Sequence, residues 1–407
     1  MNNFFPLLAG MLLLGRVCAA GTMVNNNPTQ DAFKPSLALD LQGRPIVAWV
    51  EQTGGVARVF VKRWEDDHWQ SLGNALNREQ SQNAAYTALA VNSQGQPVVA
   101  WTEKNNDSQG KLTGSGKLYV ARWDGQRWKT FGNSPSLSPG TVSDIPRLAL
   151  DRQGNPYLQW SEMPPDFNGD SVYVSRWNGR KWQVIDRGSL SSDISSSSRS
   201  RAIVVNTQNQ PILAWSVQLY EAGVGSLGFA VYAGTWNGKN WVPWGGMLSS
   251  RKDYYAAGPS IALDAQDRPV VAWHESGGGK GYNVYVKRWN GKSWVPYGQS
   301  VNAMSGGASL PVLRLDPKGN PVVGYLENQG SIKVAVRRWN GQGWVPLGGY
   351  LGSEKSNVDS FAMVLDKNGN PYVVWAEGSF RSASGVESGG PRKVYIARWD
   401  GTAWVGL

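Results

Sequence analysis

Apolar residues along this chain fall in short runs separated by turn residues, and no helical period is visible anywhere. One stretch shows the grammar. Ser260 to Asp264 reads as a short strand, Asp264 to Pro269 as a tight turn, and Val270 to Glu275 as a second strand before a Gly-rich loop. Asn283 to Trp289 reads as a third strand, Asn290-Gly291 as a two-residue hairpin turn, and Trp294 to Tyr297 as a fourth strand. The runs Val270-Val271-Ala272-Trp273 and Pro45 to Trp49 hardly alternate between apolar and polar, which predicts second strands buried on both faces.

The same pattern returns along the whole chain. Arg288-Trp289-Asn290-Gly291-Lys292-Ser293-Trp294 is matched by Trp64 to Trp69, Trp123 to Trp128, Trp177 to Trp182, Trp236 to Trp241, Trp339 to Trp344 and Trp399 to Trp404, seven copies in all. A proline after the first turn keeps the register, at Pro45, Pro97, Pro156, Pro211, Pro269, Pro321 and Pro371. Four strands repeated at this interval predict an all-β, seven-bladed β-propeller with four antiparallel strands per blade, filling residues 21–407 as one domain. The last copy stops at Trp404-Val405-Gly406-Leu407, and the piece that follows Trp in the others stands at Gly21-Thr22-Met23-Val24-Asn25. The two ends are therefore expected to lie side by side and close the ring.

Loop lengths divide the faces. Turns between strands one and two, and between three and four, are short; the other connections vary. The long ones are Lys104 to Gly116, Met163 to Asp170, Gln218 to Gly228 and Gly378 to Arg392, with a Ser-rich inter-blade run from Ser189 to Arg201. Variable loops on a rigid scaffold are where recognition is expected.

Composition adds three points. Residues 1–20 read as a signal peptide, with an apolar run from Leu7 to Leu14 too short to span a bilayer and Cys18-Ala19-Ala20 before a cleavage point. This predicts a periplasmic or secreted bacterial protein; Cys18 as a lipid-attachment site is the alternative, poorly served by Arg16. No transmembrane segment is expected after cleavage. Cys18 is the one cysteine, so the cleaved chain would hold neither disulfide nor thiol chemistry. The net charge of +10 favours anionic partners, acidic polysaccharide before nucleic acid, although many of the arginines are repeat positions at strand ends.

Candidate chemistry is of two kinds. The first is repeated. A carboxylate closes the second strand at Glu51, Glu103, Glu162, Glu275, Glu327 and Glu377, replaced by Val217 in the fourth repeat. Such a residue either accepts backbone N–H bonds from a neighbouring loop or forms a ring of sugar- or cation-binding sites. Asp40, Asp151, Asp264, Asp316 and Asp366, with Asn92 and Asn206, end the first strands, and an Asp–Arg tie to the third-strand arginines is expected to be structural. The paired tryptophans are packing residues first.

The second kind breaks the symmetry. The fourth repeat adds Trp244 beside Gly245-Gly246, and Tyr254 and Tyr255 follow in the next inter-blade loop, which makes these three candidate binding residues. Asp166, Asn168 and Asp170 alternate in a Gly-containing loop like the start of a calcium loop, without the closing bidentate acid; calcium is the one cofactor considered. His68 and His274 are isolated and form no spaced metal set. No nucleophile elbow, phosphate loop or zinc spacing is present, which weighs against an enzyme.

The turn Asp40 to Pro45, the strand Val47-Ala48-Trp49-Val50-Glu51 and the hairpin Arg288 to Trp294 together resemble repeats of exported bacterial β-propeller proteins. Asn290-Gly291 to Trp294 is similar to the end of the sialidase Asp-box, Ser-x-Asp-x-Gly-x-x-Trp, but Trp289 stands where the Asp would be and the Ser is not retained. That resemblance implies a propeller hairpin and not sialidase chemistry. Blade number and Trp content also resemble seven-bladed bacterial lectins. The expected function is a non-catalytic, multivalent carbohydrate-binding protein; a cell-envelope protein-interaction scaffold and a polysaccharide hydrolase or lyase are the alternatives.

Overall fold

The computed structural model describes residues 21–106, 112–136, 142–163, 171–187, 201–221, 223–276, 281–302, 307–378, 380–381, 387–388 and 390–407. They form an all-β structure, a β-propeller whose blades are four-stranded antiparallel meanders. Five blades are separate sheets, and the strands from Arg201 to Pro296 form one eight-stranded sheet. That sheet is held together by a single parallel pairing, Phe229 with Tyr255. The first strands are Ala32–Leu39, Asn83–Val91, Val142–Leu150, Arg201–Val205, Tyr255–Leu263, Ala308–Leu315 and Asn357–Leu365. Each lies beside the next and the last lies beside the first, so together they ring the central axis.

Second strands are buried on both faces, as their apolar runs predict: Val270, Val271, Ala272 and Trp273 all sit inside. Each core cluster draws on neighbouring repeats, as where Ile46, Val59 and Leu76 pack with Val99, Trp101 and Ala121. Within every hairpin the two tryptophans meet at 5.2 to 5.7 Å. The second then reaches back one repeat. The indole of Trp128 donates to Leu72 O at 2.6 Å, that of Trp294 to Trp244 O at 2.8 Å, and that of Trp404 to Leu347 O at 2.7 Å. These bonds staple blade to blade. Trp69 Nε1 has no such partner among the described residues.

The predicted meeting of the ends is present. Thr22 and Met23 pair with Ile396 and Tyr395, completing the outer edge that Trp404–Val405 begins. Thr22 Oγ1 donates to Leu407 O and accepts from Leu407 N, both at 2.9 Å.

Four expectations are corrected. First strands are longer than their apolar runs: the fifth begins at Tyr255, because a bulge between Ala257 and Ser260 absorbs Gly258-Pro259 without needing the missing proline N–H. The Asn290-Gly291 turn holds four residues, not two. Trp289 pairs with Trp294, and Asn290 Oδ1 accepts from the N–H groups of Lys292 and Ser293 at 2.9 and 2.8 Å. Among the seven paired-Trp hairpins only the first has a two-residue turn, where pairing extends to Glu65 and His68 and Asp66-Asp67 take φ of 50° and 59°.

The Asp–Arg tie is also not made to the third strand. Asp40 Oδ1 accepts from the N–H groups of Gln42 and Arg44, and Asp40 Oδ2 pairs with Arg44 of the same turn at 2.7 Å. Asn92 makes the same backbone bonds to Gln94 and Gln96. The position needs an acceptor oxygen and not a charge, which is why Asn substitutes freely. Arg63 turns instead to Glu65 at 2.6 Å, and Arg122 lies over the Phe131 ring. Finally, two long loops continue the strand ladder. Gln218 to Gly228 extends the hairpin as far as Glu221 opposite Gly225, and Asn105 and Asn106 pair with Thr113 and Leu112.

Candidate functional site

The six repeated glutamates stand at the loop end of their strands, and all are buried. Each accepts from the aromatic residue two positions earlier or from a neighbouring loop. Trp49 Nε1 donates to Glu51 at 2.7 Å, while the N–H groups of Asn26 and Asn27 reach its two oxygens at 2.8 and 2.7 Å. Glu103 repeats the arrangement with Trp101, Arg78 N and Glu79 N at 2.7, 2.7 and 2.9 Å. Glu377 takes Trp375 at 3.0 Å and Ser353 N at 2.8 Å, and Glu162 takes Trp160 at 2.9 Å. Tyr325 replaces tryptophan in the sixth repeat, and Glu327 instead accepts from Tyr350 Oη at 2.8 Å. Burial pushes the Glu103 carboxyl up, while its three donors pull the other way. Glu51, Glu103, Glu327 and Glu377 thus hold the loop that enters their own blade.

One of these clamps shapes something different. Glu275 accepts from Trp273 Nε1 at 2.9 Å and from Ser250 N at 3.0 Å, with the Ser250 hydroxyl also upon it. That fixes the start of the loop carrying Tyr254 and Tyr255. Tyr254 O accepts from Phe229 N at 2.9 Å, Arg251 lies over the Tyr254 ring at 5.2 Å, and Arg251 is bound to Asp253 by two bonds of 2.8 Å.

Tyr255 then opens an aromatic surface. Its ring is 4.7 Å from Phe229, 6.4 Å from His274 and 5.8 Å from Tyr282, and the two tyrosines meet at 74°. Tyr255 and Tyr282 are exposed, His274 is buried behind them, and Leu310 stands exposed at the edge. The register explains the grouping: Tyr255 and Tyr282 both lie opposite Ser276, on either side of it, and His274 is two residues earlier on the same strand face.

His274 is held neutral. Its Nδ1 accepts from Leu310 N at 3.3 Å, and burial pushes the imidazole from its ordinary 6.5 down to about 4. A Cβ on Gly258, at φ +63°, would come within 2.7 Å of that ring, so only glycine fits there. The folded state binds fewer protons than the unfolded chain between these two values, so stability is full above pH 6.5 and falls as pH drops toward 4. The loss should reach about 3 kcal/mol. Urea unfolding from pH 7.5 to 4 is expected to show this slope in the wild type and its reduction in His274→Asn.

Trp244 lies apart from this surface. It is half-buried against the Ala233 and Leu248 cluster, and its carbonyl takes the Trp294 staple. Asp166, Asn168 and Asp170 lie outside the described residues. His274, Tyr282 and Phe229 were missed as site residues because each looks like an ordinary strand residue in its own repeat; only pairing unites them. Among the described residues no helix is long and apolar enough to cross a membrane.

No family model matches the chain, and no curated protein matches it. Solved structures do. A polysaccharide lyase of family PL25, an ulvan lyase bound to -[GlcA(1-4)Rha3S]-, is 14% identical over 96% of both chains, with a TM-score of 0.58. The Penicillium chrysogenum α-L-arabinanase complexed with arabinobiose is 12% identical over 94% of this chain and 100% of its own, with a TM-score of 0.51. The β-propeller domain of the Trilobed protease from Pyrococcus furiosus is 12% identical over 92% and 96%, with a TM-score of 0.52. Likeness at these identities carries the fold alone, and the fold it carries is the β-propeller.

Proposed function

We propose that this is an exported, non-catalytic, carbohydrate-binding seven-bladed propeller, with its principal site at Tyr255 and Tyr282. The observation that carries the reading is the pair of exposed tyrosine rings set nearly at right angles over a buried neutral imidazole. Aromatic faces present apolar area to the C–H face of a sugar while the phenol hydroxyls remain available for hydrogen bonds. Seven blades follow when the eight-stranded sheet is taken as two blades bridged at Phe229 and Tyr255, which also makes this junction unlike the others. Export rests on the reading of residues 1–20. Two of the similar structures act on glycans, which supports the ligand class. The glutamates serve here as supports for the binding loops, Glu275 most directly.

The test is binding of neutral and acidic glycans by residues 21–407 at low and high salt. Tyr255→Ala and Tyr282→Ala are each expected to weaken binding about tenfold, equal to ~1.4 kcal/mol, with little change in Tm because both rings are exposed. Attraction by the net charge alone would vanish at high salt and ignore both variants. Binding to no glycan would turn the search to envelope protein partners.

A further inference from the structure

The first strands carry small apolar residues at the row next to their short turns, such as Ala38 opposite Ile46, Ala262 opposite Val270 and Val364 opposite Tyr372. Arg314 opposite Val322 breaks that row. Its strand is pinned to the preceding first strand, where Ser260 Oγ accepts from Leu313 N at 2.9 Å. The guanidinium donates Nη1 to Leu313 O at 2.8 Å, and no carboxylate among the described residues pairs with it. The closest acid in sequence, Asp316, is engaged by its own turn through Lys318 N, Asn320 N and Asn320 Nδ2. Protein packs around the side chain on the ring of first strands, and the residue as a whole is half-buried. Burial lowers this guanidinium to about 10, so it still carries its charge at neutral pH.

A cation withdrawn from water without a charged partner is unfavourable, and a planar guanidinium fork is matched by an oxyanion. We propose that Arg314 anchors an oxyanion site at the short-turn end of the ring of first strands, taking a carboxylate or sulfate group, either as a free ion or carried on an acidic polysaccharide. Leu310, beside the tyrosine surface, lies four residues earlier on the same strand, within the bulge between Ser309 and Val312. The proposal therefore concerns the opposite end of the strand and does not depend on the tyrosines.

The experiment compares residues 21–407 in sodium sulfate and in sodium chloride of equal ionic strength, by thermal unfolding and calorimetry. Sulfate strengthens burial in general, so the informative quantity is the difference between variants. The wild type and Lys292→Gln, which removes a charge from an exposed turn, are expected to gain several degrees more in sulfate than Arg314→Gln. Arg314→Lys, which keeps the charge but loses the fork, should bind sulfate at least fivefold more weakly than the wild type. Arg314-dependent binding of a sulfated or uronate oligosaccharide identifies the polysaccharide source; the same dependence for sulfate alone identifies the free ion. An equal sulfate gain in Arg314→Gln, or no calorimetric binding by the wild type, overturns the site.

Discussion

Glu51→Ala should lower the unfolding free energy by about 3–5 kcal/mol, more than its single carboxylate would suggest. Three donors converge on that group: Trp49 Nε1, Asn26 N and Asn27 N. Truncation leaves all three without their acceptor in a place where water has little access, and each orphaned donor costs about 1–3 kcal/mol. Asn26 and Asn27 also follow directly on the segment that closes the ring, where Val24 N donates to Val394 O at 2.8 Å. The damage should therefore spread to the seam. Hydrogen exchange would show it as faster exchange at residues 22–27 and 394–396, alongside a lower urea midpoint. A loss below 1 kcal/mol with unchanged exchange would show that the carboxylate is not what holds this loop. Glu51→Gln keeps one acceptor oxygen and should fall between the two.

Trp101→Ala is the second large effect, at about 3–5 kcal/mol. The indole is fully buried, packs 5.6 Å from Tyr119, and belongs to the cluster joining the first two repeats. Its removal opens a cavity between two blades and deprives Glu103 of its indole donor. Trp101→Phe restores much of the volume without the N–H, so the difference between the two variants separates packing from hydrogen bonding. Equal losses in both would assign the stability to the Trp–Glu bond alone.

The two effects share a logic that was open to inspection in the sequence. Trp49 and Glu51, or Trp101 and Glu103, stand two apart on a strand, so their side chains leave the same face. A repeated Trp-x-Glu therefore predicts contact between the two. The pattern did not say which loop the carboxylate would hold, because Asn26 and Glu51, or Arg78 and Glu103, are about 25 residues apart and meet only when the blade is assembled. The Asp at the first turn was legible as a turn residue, but its assignment to a third-strand arginine was not sound. Local backbone N–H groups two and four residues ahead are nearer donors to the Asp oxygen than any distant guanidinium.

Sequence by itself determined the all-β class, the four-strand unit, the burial of the second strands and the meeting of the two ends, because each follows from a short-range periodicity repeated along the chain. The sequence also marked Tyr255 as a candidate, but only the tertiary structure decided which residues join it. Phe229, Tyr255, His274 and Tyr282 come from different strands and Leu310 from the next blade, and they converge through strand register and the packing of blade on blade. Arg314 stands out in its row of the repeats, but only the assembled strands leave it, among the described residues, with a carbonyl as its hydrogen-bond partner. Such convergence is set by contacts across tens of residues, which no local pattern of apolar and polar positions can encode.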